Sequence, residues 1–291
     1  MASRTSTSTR VPVEGTTRVV GILGNPVDHS LSPRMHNAAY AALGLDYVYV
    51  PFRAAPHEIR GVVRAMRTLG IVGFNVTVPY KQDVLRIVDR VTDTARAIGA
   101  VNTIYRDGDD IVGENTDAEG FVAALRSHGE KTRGARALVI GAGGSARAVL
   151  HALRTGGAKE VVLANRTAAK GARLAREFGA RATSLAALED PDLLSARSLV
   201  VNCTPVGLEG GSYLEYDAGR TPRDCVHFDL AYSRGLTPFL VLARTARRPV
   251  VDGRHMLVHQ GAAAFRLFTG KKAPVDVMLD AVGLSADKGS K

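Results

Sequence analysis

The run GAGGSA, residues 141–146, constrains the fold more than any other stretch of the chain. It follows a β-type run, ALVIG (137–141), and opens a helical pattern from Gly144 to Thr155. A buried strand that turns through glycines into a helix is the phosphate-binding corner of a dinucleotide-binding βαβ unit. Gly141 permits the tight turn, and Gly143 lets the backbone approach a pyrophosphate with no Cβ in the way. With Ala142, Gly144 and Ser145 they form a loop whose free N–H groups and helix dipole favour phosphate charge. Ala146 stands where a third glycine often sits. The alternative is a tight strand-to-helix turn that binds nothing.

The next β-type run, VVLAN (161–165), ends 24 positions beyond Gly141 in Asn165-Arg166-Thr167, with Lys170 and Arg173 following on a helical pattern. A carboxylate there would hold a ribose hydroxyl and repel a 2′-phosphate. Arg166 can instead stack on adenine and grip that phosphate. The segment therefore favours NADP over NAD, the alternative being a solvated basic helix start.

Around this corner, β-type runs alternate with helical ones. VVGIL (19–23), YVYV (47–50) and IVGFNV (71–76) read as strands, and Pro33–Leu43, Pro56–Leu69 and Pro79–Val88 as helices. Proline at or near a first helical position suits each start, and Gly44 and Gly70 suit the stops. VNTIYR (101–106) and IVGEN (111–115) read as a hairpin. After ALVIG come a helix over Thr167–Phe178, strands SLVVN (198–202) and VHFDL (226–230), and a last helix over Leu257–Phe268. Such alternation predicts an α/β fold with parallel sheets covered on both faces. The hairpin breaks the rhythm, so a domain boundary is expected just after it. The chain's 291 residues suit two domains.

Two segments are the candidates for catalytic chemistry, GFNVTVPYK (73–81) and GENTD (113–117). Each is expected to run off a strand into a helix start, facing a cleft. Before Lys131 the chain has thirteen arginines and a single lysine, Lys81. Guanidinium stays protonated, whereas an amine can exchange a proton, so Lys81 is the candidate acid–base group. Asp117 is its candidate partner, near Asn75, Thr77, Asn102 and Asn115; taken alone, it reads better as a helix cap. Ser30 and Ser32, in HSLSP (29–33), offer hydroxyls and free N–H groups to a carboxylate, while Ser32 also suits an N-cap before Pro33.

Taken together, these segments resemble the shikimate dehydrogenase family, which includes quinate/shikimate dehydrogenases. The likeness runs from about Val19 to Leu279. It rests on GNPVDHSLSP (24–33), NVTVPYK (75–81), GAVNT (99–103), NTD (115–117), GAGGSARAV (141–149), NRT (165–167), NCTPVG (202–207), TPFL (237–240) and Asp252–Gln260. The resemblance implies a catalytic pair of Lys81 and Asp117. It implies substrate contacts from Ser30, Ser32, Thr77, Asn102, Tyr232 and Gln260. Cofactor contacts would be Gly141–Ser145, Asn165–Thr167, the backbone near Leu230, and Gly253, with Lys170 added from the basic segment above. It further implies a discontinuous substrate domain, 18–117 with 253–285, and an inserted Rossmann-like NADP-binding domain, 118–252. DLAYSRG (229–235) lacks the proline often found just after the tyrosine, which puts the shape of the Tyr232 loop in question.

The implied reaction is reversible reduction of 3-dehydroshikimate to shikimate with NADPH, in aromatic amino-acid biosynthesis. Competing readings are an NAD-preferring quinate/shikimate dehydrogenase and a non-catalytic ligand-sensing protein on the same fold. The formal charge of +10 suits an anionic cofactor and substrate. A nucleic-acid binder is disfavoured, because the basic residues are scattered, aromatics are few and Trp is absent. No apolar run reaches the roughly 18 residues of a membrane span. Cys203 and Cys225 have no metal or redox spacing and read as reduced thiols in the cytoplasm. His255 and His259 have helical i, i+4 spacing but no third ligand, so no metal is expected. The acid-poor residues 1–17 share composition with a transit peptide, though their brevity favours a disordered tail, as for 286–291. The reading leaves room for a homodimer.

Overall fold

The computed structural model describes residues 13–208, 213–233 and 235–284. Most of the N-terminal tail expectation and all of the C-terminal one lie outside them. The described residues build two six-stranded sheets. The first half contributes β1 (Arg18–Gly24), α1 (Ser32–Ala42), β2 (Tyr47–Arg53), α2 (Ile59–Thr68), β3 (Gly73–Val76), β4 (Arg90–Val91), α3 (Asp93–Ile98), β5 (Thr103–Asp107) and β6 (Asp110–Glu114). Its sheet has the order β2-β1-β3-β5-β6-β4. The first three strands are parallel, and β5 pairs antiparallel with both β3 and β6. The expected hairpin is therefore present, and it occurs where the parallel rhythm stops.

The chain then continues through α4 (Asp117–Ser127), β7 (Arg136–Ile140), α5 (Gly144–Thr155), β8 (Glu160–Ala164), α6 (Ala168–Phe178), β9 (Arg181–Thr183) and α7 (Pro191–Ser195). Next come β10 (Leu199–Asn202), β11 (Val226–Asp229), α8 (Pro238–Thr245), β12 (Val250–Val251), α9 (Gly253–Thr269) and α10 (Val275–Ala281). The second sheet is parallel throughout, in the order β12-β11-β10-β7-β8-β9. Its central strand explains its position. Ala137, Leu138, Val139 and Ile140 are all 0% exposed, buried on both faces as a helix-covered strand requires. Each large side chain buried this way stabilises the sheet by about 1.5–3 kcal/mol.

Helices α4 and α9 join the halves. Ala118 and Phe121 of α4 pack into the core of the second sheet, where Phe121 stacks on Phe228 with centroids 5.2 Å apart. Val258 and Phe265 of α9 pack instead under β1 and β2. The two helices approach closely because residue 120 is glycine: a Cβ there would lie 2.6 Å from Cβ of Gln260.

The structure corrects some local expectations. Pro79–Val88 is no α-helix; it is a series of turns with one 3₁₀ turn at Val84–Arg86. The Pro79 turn and the polar run Lys81-Gln82-Asp83 leave too short an apolar periodicity to sustain more. Helix α2 starts three residues after Pro56, and α9 begins at Gly253, earlier than its apolar stripe suggested.

Candidate active site

A cavity of about 440 Å³ lies between the sheets, at the carboxyl ends of β1, β3 and β10. In open α/β sheets that is where ligands bind. Lys81 sits in the turn after β3. Its backbone carbonyl accepts from Val101 N at 2.7 Å, which ties the turn to the segment before β5. Its Nζ donates to Asp117 Oδ2 at 2.7 Å and to Ser145 Oγ of the glycine loop at 3.3 Å. The lysine and aspartate side chains are only 12% and 5% exposed.

Asp117 is the first residue of α4, and Thr116 occupies the cap position without a side-chain cap bond. The carboxylate is therefore not spent on capping. Its Oδ1 accepts from Asn102 Nδ2 at 2.8 Å. Asn102 is held in turn, its Oδ1 accepting from Thr116 N at 2.7 Å. The same amide group faces Gln260 Oε1 at 3.2 Å. Asn115 fixes the helix start, accepting from Asp117 N at 3.0 Å and donating to the Ala100 carbonyl at 2.8 Å. Buried polar groups this well paired form a rigid constellation.

Ser30, Ser32, Thr77, Tyr232 and Gln260 face the same cavity. Ser32 is the first residue of α1 rather than its cap, and its N–H donates to Ser30 Oγ at 3.2 Å. Burial pushes the Tyr232 phenol up, partly offset by its hydrogen bonding to Leu31 and Ser30. Asn75 also lines the cavity, but its amide is engaged: it accepts from Tyr49 Oη at 2.8 Å and donates to Thr103.

On the far side lies the glycine corner. Gly141 has φ 101°, and a Cβ on Gly143 would meet nothing within 4 Å, leaving an open backbone cradle at the start of α5. That start has no side-chain cap and no acidic residue in its first turn. The donors are thus free for a phosphate, and the residues fit a dinucleotide. Of the candidate cofactor contacts, Ser145, Leu230 and Gly253 reach the cavity itself. Asn165, Arg166, Thr167 and Lys170 stand beyond β8, where Asn165 Nδ2 donates to the Thr167 carbonyl at 2.8 Å. Arg166 and Lys170 are exposed, and among the described residues neither pairs with a carboxylate.

Sequence reasoning missed Met256 and Leu257, which also line the cavity. The signal was available: with Gly253 and Gln260 they fall at i, i+3, i+4 and i+7, one face of α9. It also missed Gly120, whose role needs the α4–α9 contact. His255 packs against His128, their rings 4.3 Å apart, and His259 follows one turn on along α9. Among the described residues no group of three or more His, Cys, Asp or Glu has metal-binding geometry. No helix of the described residues is long and apolar enough to cross a membrane.

Comparison with known proteins covers nearly the whole chain. The family model for the shikimate dehydrogenase substrate binding domain matches residues 22–104. That for shikimate / quinate 5-dehydrogenase matches 123–246, and that for the shikimate 5'-dehydrogenase C-terminal domain matches 253–282. The chain is 45% identical to a shikimate dehydrogenase (NADP(+)) of Methanopyrus kandleri, covering 94% of this chain and 98% of that one. It is 43% identical to the enzyme of that name from Geobacter metallireducens, covering 91% and 96%. A shikimate 5-dehydrogenase from Thermus thermophilus, solved with NADP(H) and shikimate, superposes with a TM-score of 0.84 at 39% identity, covering 91% and 98%.

Proposed function

The chain belongs to the shikimate dehydrogenase family, and on that premise we propose that it catalyses the NADP-dependent, reversible interconversion of 3-dehydroshikimate and shikimate. The observation that carries the reading is the Lys81–Asp117 pair, 2.7 Å apart, nearly buried and within 3.3 Å of the glycine loop. When bound, the nicotinamide cofactor supplies or accepts the hydride. Lys81 gives a proton from Nζ to the ring carbonyl oxygen during reduction and removes it from the hydroxyl in reverse. Asp117 holds that ammonium in place and accepts from the same hydroxyl. Ser30 and Ser32 bind the substrate carboxylate, with Tyr232 beside Ser30. Thr77, Asn102 and Gln260 orient the ring hydroxyls, since a site built to pair hydroxyls rejects analogues that lack them.

A bound cofactor would be held along Gly141–Ser145, with Arg166 and its neighbours Asn165, Thr167 and Lys170 available to the 2′-phosphate. Leu230 and Gly253 would hold the nicotinamide end. Residues 18–117 with 253–285 act as the substrate domain and 118–252 as the cofactor domain, closing on the ligands to exclude water. Both described cysteines are free thiols, which suits a cytoplasmic protein.

Initial rates of NADP and NAD reduction with shikimate and with quinate test the assignment. Fastest turnover is expected with NADP and shikimate. Lys81→Met should lower kcat by roughly 10²- to 10⁴-fold with little change in cofactor binding. A variant turning over at the normal rate would remove Lys81 from the chemistry.

A further inference from the structure

We propose that Arg147 is a positioning residue: it latches the helix of the glycine loop to the substrate side of the cleft and so sets the gap across which the hydride moves. The proposal rests on the reading above. Arg147 lies on α5, two residues beyond Ser145. Its Nε donates to the carbonyl of Ile98, the last residue of α3, at 2.5 Å. On its own side the guanidinium is held twice. Nη2 is ion-paired with Glu177 of α6, and the group lies over the Phe178 ring, 5.4 Å from its centroid. The side chain is 13% exposed. A cation is also favoured at the carbonyl end of a helix.

The receiving surface is shaped for it. Gly99 ends α3 in the left-handed region with φ 70°, and a Cβ there would lie 2.4 Å from Arg147 Nη2. One glycine thus both stops the helix and vacates the space that the guanidinium fills.

Both ends of the latch lead directly to the reacting groups. Downstream of Ile98, the Ala100 carbonyl fixes Asn115, Val101 N holds the Lys81 backbone, and Asn102 holds Asp117. Upstream of Arg147, Ser145 meets Lys81 Nζ. A fork that reaches an anion and a carbonyl at once is a task for arginine more than lysine.

Arg147→Met keeps the stem and removes the fork. Displacement of about 1 Å between reacting groups can reduce turnover by about 10²-fold. The expected result is a kcat for shikimate oxidation lowered by about 10- to 100-fold, with KM for shikimate and NADP affinity within about two-fold. Shikimate deuterated at the reacting carbon should show a larger isotope effect on kcat than in the wild type. Amide exchange over 93–101 should quicken in the ligand-free variant, and Arg147→Lys should recover part of the rate. Wild-type kcat in Arg147→Met overturns the proposal, as does a loss fully explained by a smaller folded fraction with an unchanged isotope effect. If that variant does not fold, Glu177→Gln should show the same kcat-only loss at about three-fold, and no loss overturns the latch. Wild-type protein inactive with shikimate and NADP would sink the functional reading instead, while the exchange measurement still judges the latch.

Discussion

On the first-sheet side, the cleft is faced by polar side chains that hold one another. Ser32, Asn102, Asp117 and Gln260 are all under 9% exposed, and Asn102 alone engages Thr116, Asp117 and Gln260. On the second-sheet side it is faced by backbone: an open glycine cradle, with Arg166 and Lys170 exposed beyond it. On the first side, the bonds that shape the site also stabilise the fold. On the second, the groups offered to a ligand contribute little to stability, because they are in water until the ligand arrives. The two walls should therefore respond differently to substitution.

Asn102→Ala tests the first wall most severely. It strips partners from Asp117, Thr116 and Gln260, and leaving buried polar groups unpaired costs about 1–3 kcal/mol apiece. Allowing for partial relaxation, a stability loss of about 3 kcal/mol in urea unfolding is expected, together with a fall in kcat. A variant as stable as the wild type would mean that the network is not structural, and the contrast between the walls would fail.

Acid sharpens the comparison, because each sheet buries a histidine. His36 is fully buried with neither ring nitrogen partnered, stacked on Tyr49 at 4.4 Å; burial pushes its pKa down to about 3. His227, near Tyr216 and the Cys225 carbonyl, is pushed down to about 4, again chiefly by burial. Both folded values lie below the ordinary one of 6.5. The unfolded chain therefore binds more protons as pH falls below 6.5, and stability drops on acidification through that window. Each histidine contributes a slope of about 1.4 kcal/mol per pH unit. His36→Phe keeps the stack and removes one share, so its stability relative to wild type should improve by about 2 kcal/mol between pH 7.5 and pH 5. Parallel pH profiles would show that His36 does not stay neutral in the fold.

The same contrast explains what could be read from the sequence. The glycine corner was legible because its geometry is local: strand, glycines and helix are contiguous in residues 137–155. Lys81 was legible as the one lysine among the thirteen arginines before Lys131. Asp117 was ambiguous because a helix-capping aspartate has the same sequence signature as a catalytic one. Its contacts with Asn102 and Lys81, brought in by the segment before β5 and the turn after β3, are visible only in the fold. The helix expected at Pro79–Val88 failed because proline-led starts and a few apolar residues do not specify a period. Gly120 and Gly99 were invisible because each is required by a neighbour distant in sequence, Gln260 in one case and Arg147 in the other.

The smallest effect is expected on the second wall, and it separates binding from stability. Arg166 is exposed and free of carboxylate partners among the described residues, so Arg166→Ala should leave unfolding unchanged within about 0.5 kcal/mol. A charge-assisted contact to a phosphate is worth more than a neutral one, but solvent and salt weaken it at an exposed site. KM for NADP should therefore rise by about ten-fold, and KM for NAD, which has no 2′-phosphate, should stay within about two-fold. Raising the salt concentration should narrow the difference between wild type and variant for NADP and leave NAD unaffected. Equal losses with both cofactors would move Arg166 from the 2′-phosphate to a contact common to the two, such as stacking on the adenine. Selectivity would then have to come from Lys170, or from the absence of a carboxylate at the end of β8.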